Sequence, residues 1–239
     1  MDYETIVYEE LRVWRNKVLK KSSLFNQLSK KAQKKINSMI PEKAHQIITD
    51  SIKNMVKATL AGSNMTTKKP EPTELSLFER DQIAKEKLVS YRKTAVVEGA
   101  GTGAGGIFLG LADFPLLLSI KMKFLFELAA VYGYDANEYE ERLFILHVFQ
   151  LAFSSDEKRK DTFYIIENWE QEKEQLADMD WRVFQQEYRD YIDLVKMLQL
   201  VPGFGAIVGA YANHNLMDTL GETAMNAYRM RHFELQAEK

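Results

Sequence analysis

The sequence predicts an all-α fold, a helical bundle in which two glycine-rich apolar helices pack against each other. Three observations carry that expectation. Apolar residues recur every three or four positions through most of the chain. Strand signals are scarce: no segment alternates for long, and neither Asn-Gly nor Asp-Gly occurs. Ser or Asp stands three residues ahead of Glu at Ser76/Glu79, Asp135/Glu138 and Ser154/Glu157, the spacing of a helix-opening capping box.

Taken in order, Val7, Leu11, Trp14, Val18, Phe25, Leu28, Ala32, Ile36 and Met39 trace one apolar face, with Ser22 filling the gap. They predict a single amphipathic helix that Pro41 breaks. A second helix follows to about Leu60 and ends at Gly62, and Ser63 to Thr73, with Pro70 and Pro72, reads as a polar linker. Ser76 opens a helix toward Val97. Phe114 to Tyr132 reads as an apolar helix stopped by Gly133, and Asp135 as the start of another that reaches Phe153. Phe184, Tyr188, Tyr191, Val195 and Leu198 repeat the stripe late in the chain. The organisation is therefore basic amphipathic helices over 1–62, a linker over 63–75 and the main helical domain over 76–239.

At 239 residues, 46% hydrophobic and 28% charged, the composition is that of a globular protein. Mean hydropathy of -0.33 argues against a polytopic membrane protein. Without cysteine there are no disulfides and no thiolate metal sites, which fits a reducing cytoplasm. The charged opening Met1-Asp2-Tyr3-Glu4 lacks a signal-peptide core, so the expected location is cytoplasmic, at the inner face of the cell membrane. Net charge is only -2, and no global basic field suggests nucleic acid. That total hides an asymmetry. Nine Lys/Arg lie between Arg12 and Lys35, with no acid between Glu10 and Glu42, whereas Asp156 to Lys196 holds twelve acids against seven bases. Arg12, Trp14, Arg15, Lys17, Lys20, Lys21, Phe25, Lys30, Lys31, Lys34 and Lys35 together suit an interfacial helix on anionic lipid. The alternative is a stripe packed on the protein's own core, its bases solvated or docked on the acidic region.

Gly99, Gly103, Gly106 and Gly110 fall on one helical face, and Gly205 and Gly209 offer a partner face. An interior glycine costs roughly 1 kcal/mol against alanine, and close helix-helix approach would compensate. A spanning helix needs about 20 predominantly apolar residues. The first segment reaches that only through Asp113 and Pro115, so a shallow hairpin or a tightly packed pair is expected instead. Asp113, ahead of Phe114 and Pro115, reads as an N-cap. Gly101, Gly103 and Gly106 match a dinucleotide fingerprint, but no second strand follows, so no nucleotide is expected.

Catalytic signals are absent. His45, His147, His214 and His232 are scattered, and H-E-x-x-H and G-x-S-x-G do not occur. Glu140-Glu141 reads as a solvated face or a cap. No catalytic residue, metal or cofactor is assigned. A composite site around Asp113 and Arg142 is the enzyme alternative.

EGAGTGAGGIFLGLADFPLLLSIKMKFLFELAAVYGYD (Glu98 to Asp135), ERLFIL (Glu141 to Leu146) and VPGFGAIVGAYANHNLMDTLGETAMNAYRMR (Val201 to Arg231) resemble the bacterial EcsC family. Gly99, Gly103, Gly106, Gly110, Asp113, Pro115, Gly133, Arg142, Pro202, Gly203, Gly205, Gly209, Gly221 and Glu222 stand where that family's characteristic residues would. A more distant likeness, confined to the glycine segments, is to a membrane-associated helical domain beside some bacterial GTPases. The EcsC resemblance implies a protein encoded beside an ABC transporter connected with secretion, and it supplies no catalytic residues. The expected role is a non-enzymatic, membrane-associated accessory protein. Its implied partners are an anionic membrane surface and the ABC transporter. The rival is a soluble helical module enclosing a lipid or other apolar ligand.

Overall fold

The computed structural model describes residues 2–20, 42–62, 75–102, 113–154, 158–178, 192 and 216–237, with backbone alone for 95–102 and 235–237. Among these the fold is all-α, with eight helices: α1 (Tyr3–Leu19), α2 (Glu42–Ala61), α3 (Leu77–Thr102), α4 (Phe114–Tyr132), α5 (Tyr139–Phe153), α6 (Arg159–Glu167), α7 (Trp169–Ala177) and α8 (Leu216–Ala237). The described residues form no strand, only an isolated bridge between Ser154 and Ile192.

The helix ends follow local chemistry. Asp2 caps α1, its Oδ1 accepting from the Thr5 N–H at 2.8 Å. At α3 the Ser76/Glu79 box forms reciprocally: the Glu79 N–H donates to Ser76 Oγ at 3.3 Å, and the Ser76 N–H to Glu79 Oε2 at 2.8 Å. Gly133 adopts φ 93°, and α4 closes with Gly133 N–H to Ala130 O at 3.1 Å and Tyr134 N–H to Ala129 O at 2.9 Å. That left-handed closure favours glycine. Gly62 ends α2 in the same region, at φ 68°.

Four expectations about helix ends need correction. The run from Val7 is not one helix to Met39: α1 stops at Leu19, where Lys20 turns extended at ψ 123°. Asp113 makes no capping bond, because its backbone is already α-helical (ψ -4°) and Pro115 in the first turn has no N–H to offer. Asp135 does not open α5. Its Oδ1 accepts from the Asn137 N–H at 2.9 Å in a turn, and the helix starts one turn later. Nor does Ser154 open α6. It ends α5 and donates to Leu151 O at 3.1 Å.

The core is continuous from α1 to α8. Every residue from Leu143 to Phe153 is buried, so α5 is covered on all sides. Val7, Leu11 and Trp14 fix α1 to that core at spacings of four and three. Burying each such large apolar side chain contributes about 1.5–3 kcal/mol. The first two helices therefore share one core with the other described helices.

Candidate functional site

Side-chain pairings fix the helix directions. Along α3 and α8, Asp81 meets Arg229, Leu88 faces Gly221, and Arg92 pairs with Asp218. One number rises as the other falls, so the two helices are antiparallel. Tyr132 bonds Asp81, Glu127 pairs with Lys87, and Phe124 meets Tyr91, which makes α4 antiparallel to α3. Glu4–His232, Glu10–Arg229 and Lys17–Glu222 make α1 antiparallel to α8. The last turn of α1, the end of α3 and the starts of α4 and α8 therefore share one end of the bundle, the Lys20 end. At the Gly133 end, Arg80 Nη1 donates to Val131 O at 2.8 Å and Nε to Leu75 O at 3.1 Å, joining the start of α3 to the end of α4.

Between the two ends lies a buried polar core. Asp81 is 0% exposed, and its carboxylate accepts from Tyr3 Oη (2.6 Å), Tyr132 Oη, and Arg229 Nε and Nη2 (3.0 and 2.7 Å). Arg229 Nη1 also donates to Asn226 Oδ1 and Glu10 Oε2, at 3.1 and 3.2 Å. Across α8, Glu141 accepts from Tyr228 Oη and Arg231 Nη1, both at 2.6 Å. The Arg231 guanidinium lies over Tyr134 and Phe144, 3.8 and 4.5 Å from the ring centroids. Tyr132 stacks on Tyr228, centroids 5.2 Å apart, and joins the two clusters.

Burial dominates the electrostatics of this core. Burial, then the bond to Asp81, pushes the Tyr3 phenol up to about 12. Burial also raises Tyr132 and Tyr228, with Asp81 and Glu141 adding to it. These phenols act as donors, not bases, at neutral pH. Burial is the largest single influence on Arg229 and opposes its charge, but the hydrogen bond and charge of Asp81, with smaller contributions from Tyr132 and Tyr3, together outweigh it and raise its pKa. Burial raises Glu141, with Arg231 and Tyr228 opposing.

Beside Arg229 an open groove of about 660 Å³ runs between α1 and α8, lined by residues including Ile6, Glu10, Val13, Trp14, Glu222 and Asn226. Among the described residues, no group of three or more His, Asp or Glu could hold a metal ion. No described helix is long and apolar enough to cross a membrane.

The EcsC protein family profile matches residues 5–233. The chain belongs to the EcsC family. It is 55% identical to "Protein EcsC" of Bacillus subtilis (strain 168) over 226 residues, covering 95% of this chain and 94% of that one. It is 30% identical to the uncharacterized protein YdbA of the same strain over 204 residues, covering 84% of this chain and 69% of that one. No solved structure matches it.

Of the EcsC-type residues, Gly99 lies in the last turns of α3, and Gly103, Gly106, Gly110, Pro202, Gly203, Gly205 and Gly209 lie outside the described residues. The expected packing of the two glycine faces lies outside them too. Asp113 and Pro115 sit at the start of α4. Arg142 sits in the first turns of α5, beyond the other end of α4, where it donates to Asn137 O and packs on Gly62. The 19 residues of α4 hold the two apart, a span of roughly 28 Å at 1.5 Å per residue. The geometry does not build a composite Asp113/Arg142 site. Gly221 lets α8 approach α3, since a Cβ there would sit 2.7 Å from both Leu88 methyls. Glu222 pairs with Lys17 at 3.0 Å.

The basic face of α1 is also placed. Trp14 is not at the surface: it is 6% exposed and packs 5.7 Å from Phe163, because it shares the core stripe with Val7 and Leu11. Arg15, still partly exposed, pairs with Glu167 at 2.5 Å, a contact with the acidic region. Arg12 pairs with Glu9 at 3.3 Å, and Lys20 is exposed at the helix end. Lys21, Phe25, Lys30, Lys31, Lys34 and Lys35 lie outside the described residues.

No sequence motif assigns a role to Asp81, Arg229 or Arg231, and Glu141, which reads from the sequence as a solvated face or a cap, is buried. A signal existed. Asp81 interrupts the stripe Leu77, Ala84, Leu88 at spacings of four, three and four, and Glu141 precedes the buried Ile145 and Val148 by four and seven. An ionisable residue on a buried stripe requires a buried partner.

Proposed function

We propose that this EcsC-family protein is a non-enzymatic accessory protein that binds the cytoplasmic face of the membrane in the setting of an ABC transporter. One observation supports the reading. The chain leaves α1 after Lys20 into a stretch carrying Lys21, Lys30, Lys31, Lys34 and Lys35. It leaves α3 after Thr102 into the apolar GAGGIFLGLA, and enters α8 from a sequence in which the polar Asn213-His214-Asn215 follows VPGFGAIVGAYA. All three departures lie at the Lys20 end. The departure of a basic sequence and two apolar sequences from one end of the bundle supports an anionic bilayer over bulk water. Lys and Arg near such a surface contribute about 1 kcal/mol each, and salt screens them.

Co-sedimentation with phosphatidylglycerol-containing and pure phosphatidylcholine vesicles tests this. The parent should prefer anionic vesicles at low salt and lose that preference as salt rises. Charge reversal at Lys30, Lys31, Lys34 and Lys35 should weaken anionic binding and leave neutral binding unchanged. Equal behaviour toward both vesicles at low salt would refute the electrostatic part of the proposal.

A further inference from the structure

We infer that the open groove between α1 and α8 binds an extended, basic peptide segment of a partner protein, one that carries Lys or Arg beside apolar side chains. The inference is independent of the membrane reading and concerns a side of the bundle, not its end. Three observations carry it: an exposed apolar wall, an excess of carboxylates and an amide donor without an acceptor.

The apolar wall comes from α1. Val7, Leu11 and Trp14 take its inward stripe, which leaves Ile6 and Val13 outward, 42% and 67% exposed and both lining the groove. The lining runs along α1 from Ile6 to Lys17, a length of roughly 16 Å at 1.5 Å per residue. An open groove of that length accommodates about five residues of extended chain. The exposed aromatics Tyr8, Phe78, Tyr139 and Tyr164 differ in being partly covered by the chain itself, through Phe233, Tyr3, Arg142 and Phe163 respectively.

The charge is acidic. Glu9, Glu10 and Glu222 line the groove together with Lys17 and Arg229. Asp81 already neutralises Arg229 at 2.7 Å, so three carboxylates face one lysine. Glu9 pairs with Arg12 and Glu222 with Lys17 at the surface, and all four of these side chains remain about half exposed or more. Such pairs contribute little in water, so a cation brought by a partner can replace Arg12 or Lys17. The same carboxylates repel an acidic peptide.

The donor is Asn226 on α8, only 6% exposed and part of the groove lining. Its Oδ1 accepts from Arg229 Nη1 at 3.1 Å, and that contact fixes which end of the amide faces inward. Among the described residues nothing accepts from Asn226 Nδ2, which is left toward the groove. A largely buried amide calls for an acceptor. The backbone carbonyls of an extended peptide are free to supply one, whereas a helix uses its own internally. One peptide therefore meets all three features: a carbonyl on Asn226, apolar side chains on Ile6 and Val13, and cations on Glu9 and Glu222.

Random heptapeptides displayed on phage and selected on the immobilised full chain test the chemistry. The selected set should be enriched severalfold in Lys and Arg, with aliphatic or aromatic residues beside them. A synthetic peptide of the selected consensus is then titrated by fluorescence anisotropy into the parent and its variants. Val13→Ser removes apolar wall and Glu222→Gln a carboxylate, and each should weaken binding severalfold. Both positions are exposed, so both variants should melt with the parent. Asn226→Asp keeps an acceptor for Arg229 but removes the donor, and should weaken binding although it adds negative charge. Glu140→Gln removes an exposed carboxylate at the Gly133 end and should bind like the parent. Selection of acidic or uncharged peptides, or no selection at all, would overturn the proposal. So would undiminished binding by any of the three groove variants, or an equal loss in Glu140→Gln.

Discussion

Asp81 on α3 and Arg229 on α8 form a buried ion pair, N–O 2.7 Å, across 148 residues of sequence. The Asp81 side chain is 0% exposed and that of Arg229 8%, so neither charge has water to fall back on. Removing one partner of such a pair costs about 3–5 kcal/mol, whereas removing both costs less than the sum. Asp81→Asn and Arg229→Gln should each lower the urea midpoint sharply, and the double variant should recover part of the loss. Strict additivity would show that the pair contributes no coupling.

Much of the fold was legible because it follows from local rules. The 114–132 helix and its glycine stop, the Ser76 box and the end at Gly62 all depend on residues within one turn of each other. What was not legible depends on residues far apart. Trp14 fits an interfacial helix and a core helix equally well until Phe163 is placed beside it. Glu141 reads as surface until Arg231, ninety residues later, is known to face it. Asp135 and Asp113 have the spacing of caps, but backbone geometry and a proline decide against them. The family resemblance was legible in the glycine, proline and aromatic blocks, whereas the buried ionic core inside those blocks was not.

Gly133 is constrained twice. Its φ of 93° disfavours any side chain, and an added Cβ would lie 2.8 Å from Arg80 Nη1. The left-handed conformation alone costs a non-glycine residue about 1–2 kcal/mol. Gly133→Ala should exceed that, because Arg80 must also release Val131 O. Gly62→Ala, where the nearest approach is 3.3 Å to Arg142 Nη1, should cost less. Thermal denaturation of the two variants side by side decides; equal losses would mean that Arg80 yields freely.

Gly221 sets the approach of α8 to α3. An alanine methyl there would sit 2.7 Å from both Leu88 methyl carbons, so Leu88 must move or the helices must part. Overpacking of this kind typically costs 1–3 kcal/mol. Leu88→Ala opens space at the same spot, so Gly221→Ala/Leu88→Ala should be more stable than the sum of the two single changes. A double variant that merely adds would show that the close approach is relieved elsewhere.

His147 supplies a pH dependence with a definite sign. It is buried on α5, 5.9 Å from Trp169, with Nδ1–H donating to Leu143 O at 2.8 Å. Burial lowers its pKa from 6.5 to about 4, against a smaller opposing effect of that hydrogen bond. The unfolded chain therefore binds the proton between pH 6.5 and 4 while the folded chain does not. Stability falls as pH drops through that window and is unaffected by this group above it. A depression of this size corresponds to a loss on the order of 3 kcal/mol at the acid end. Replacing His147 with Gln keeps a polar group near Leu143 O and removes the titration. The parent's urea midpoint should decline between neutral pH and pH 4.5 more steeply than the His147→Gln midpoint. Parallel declines would assign the acid sensitivity to other groups and leave the His147 imidazole without a part in it.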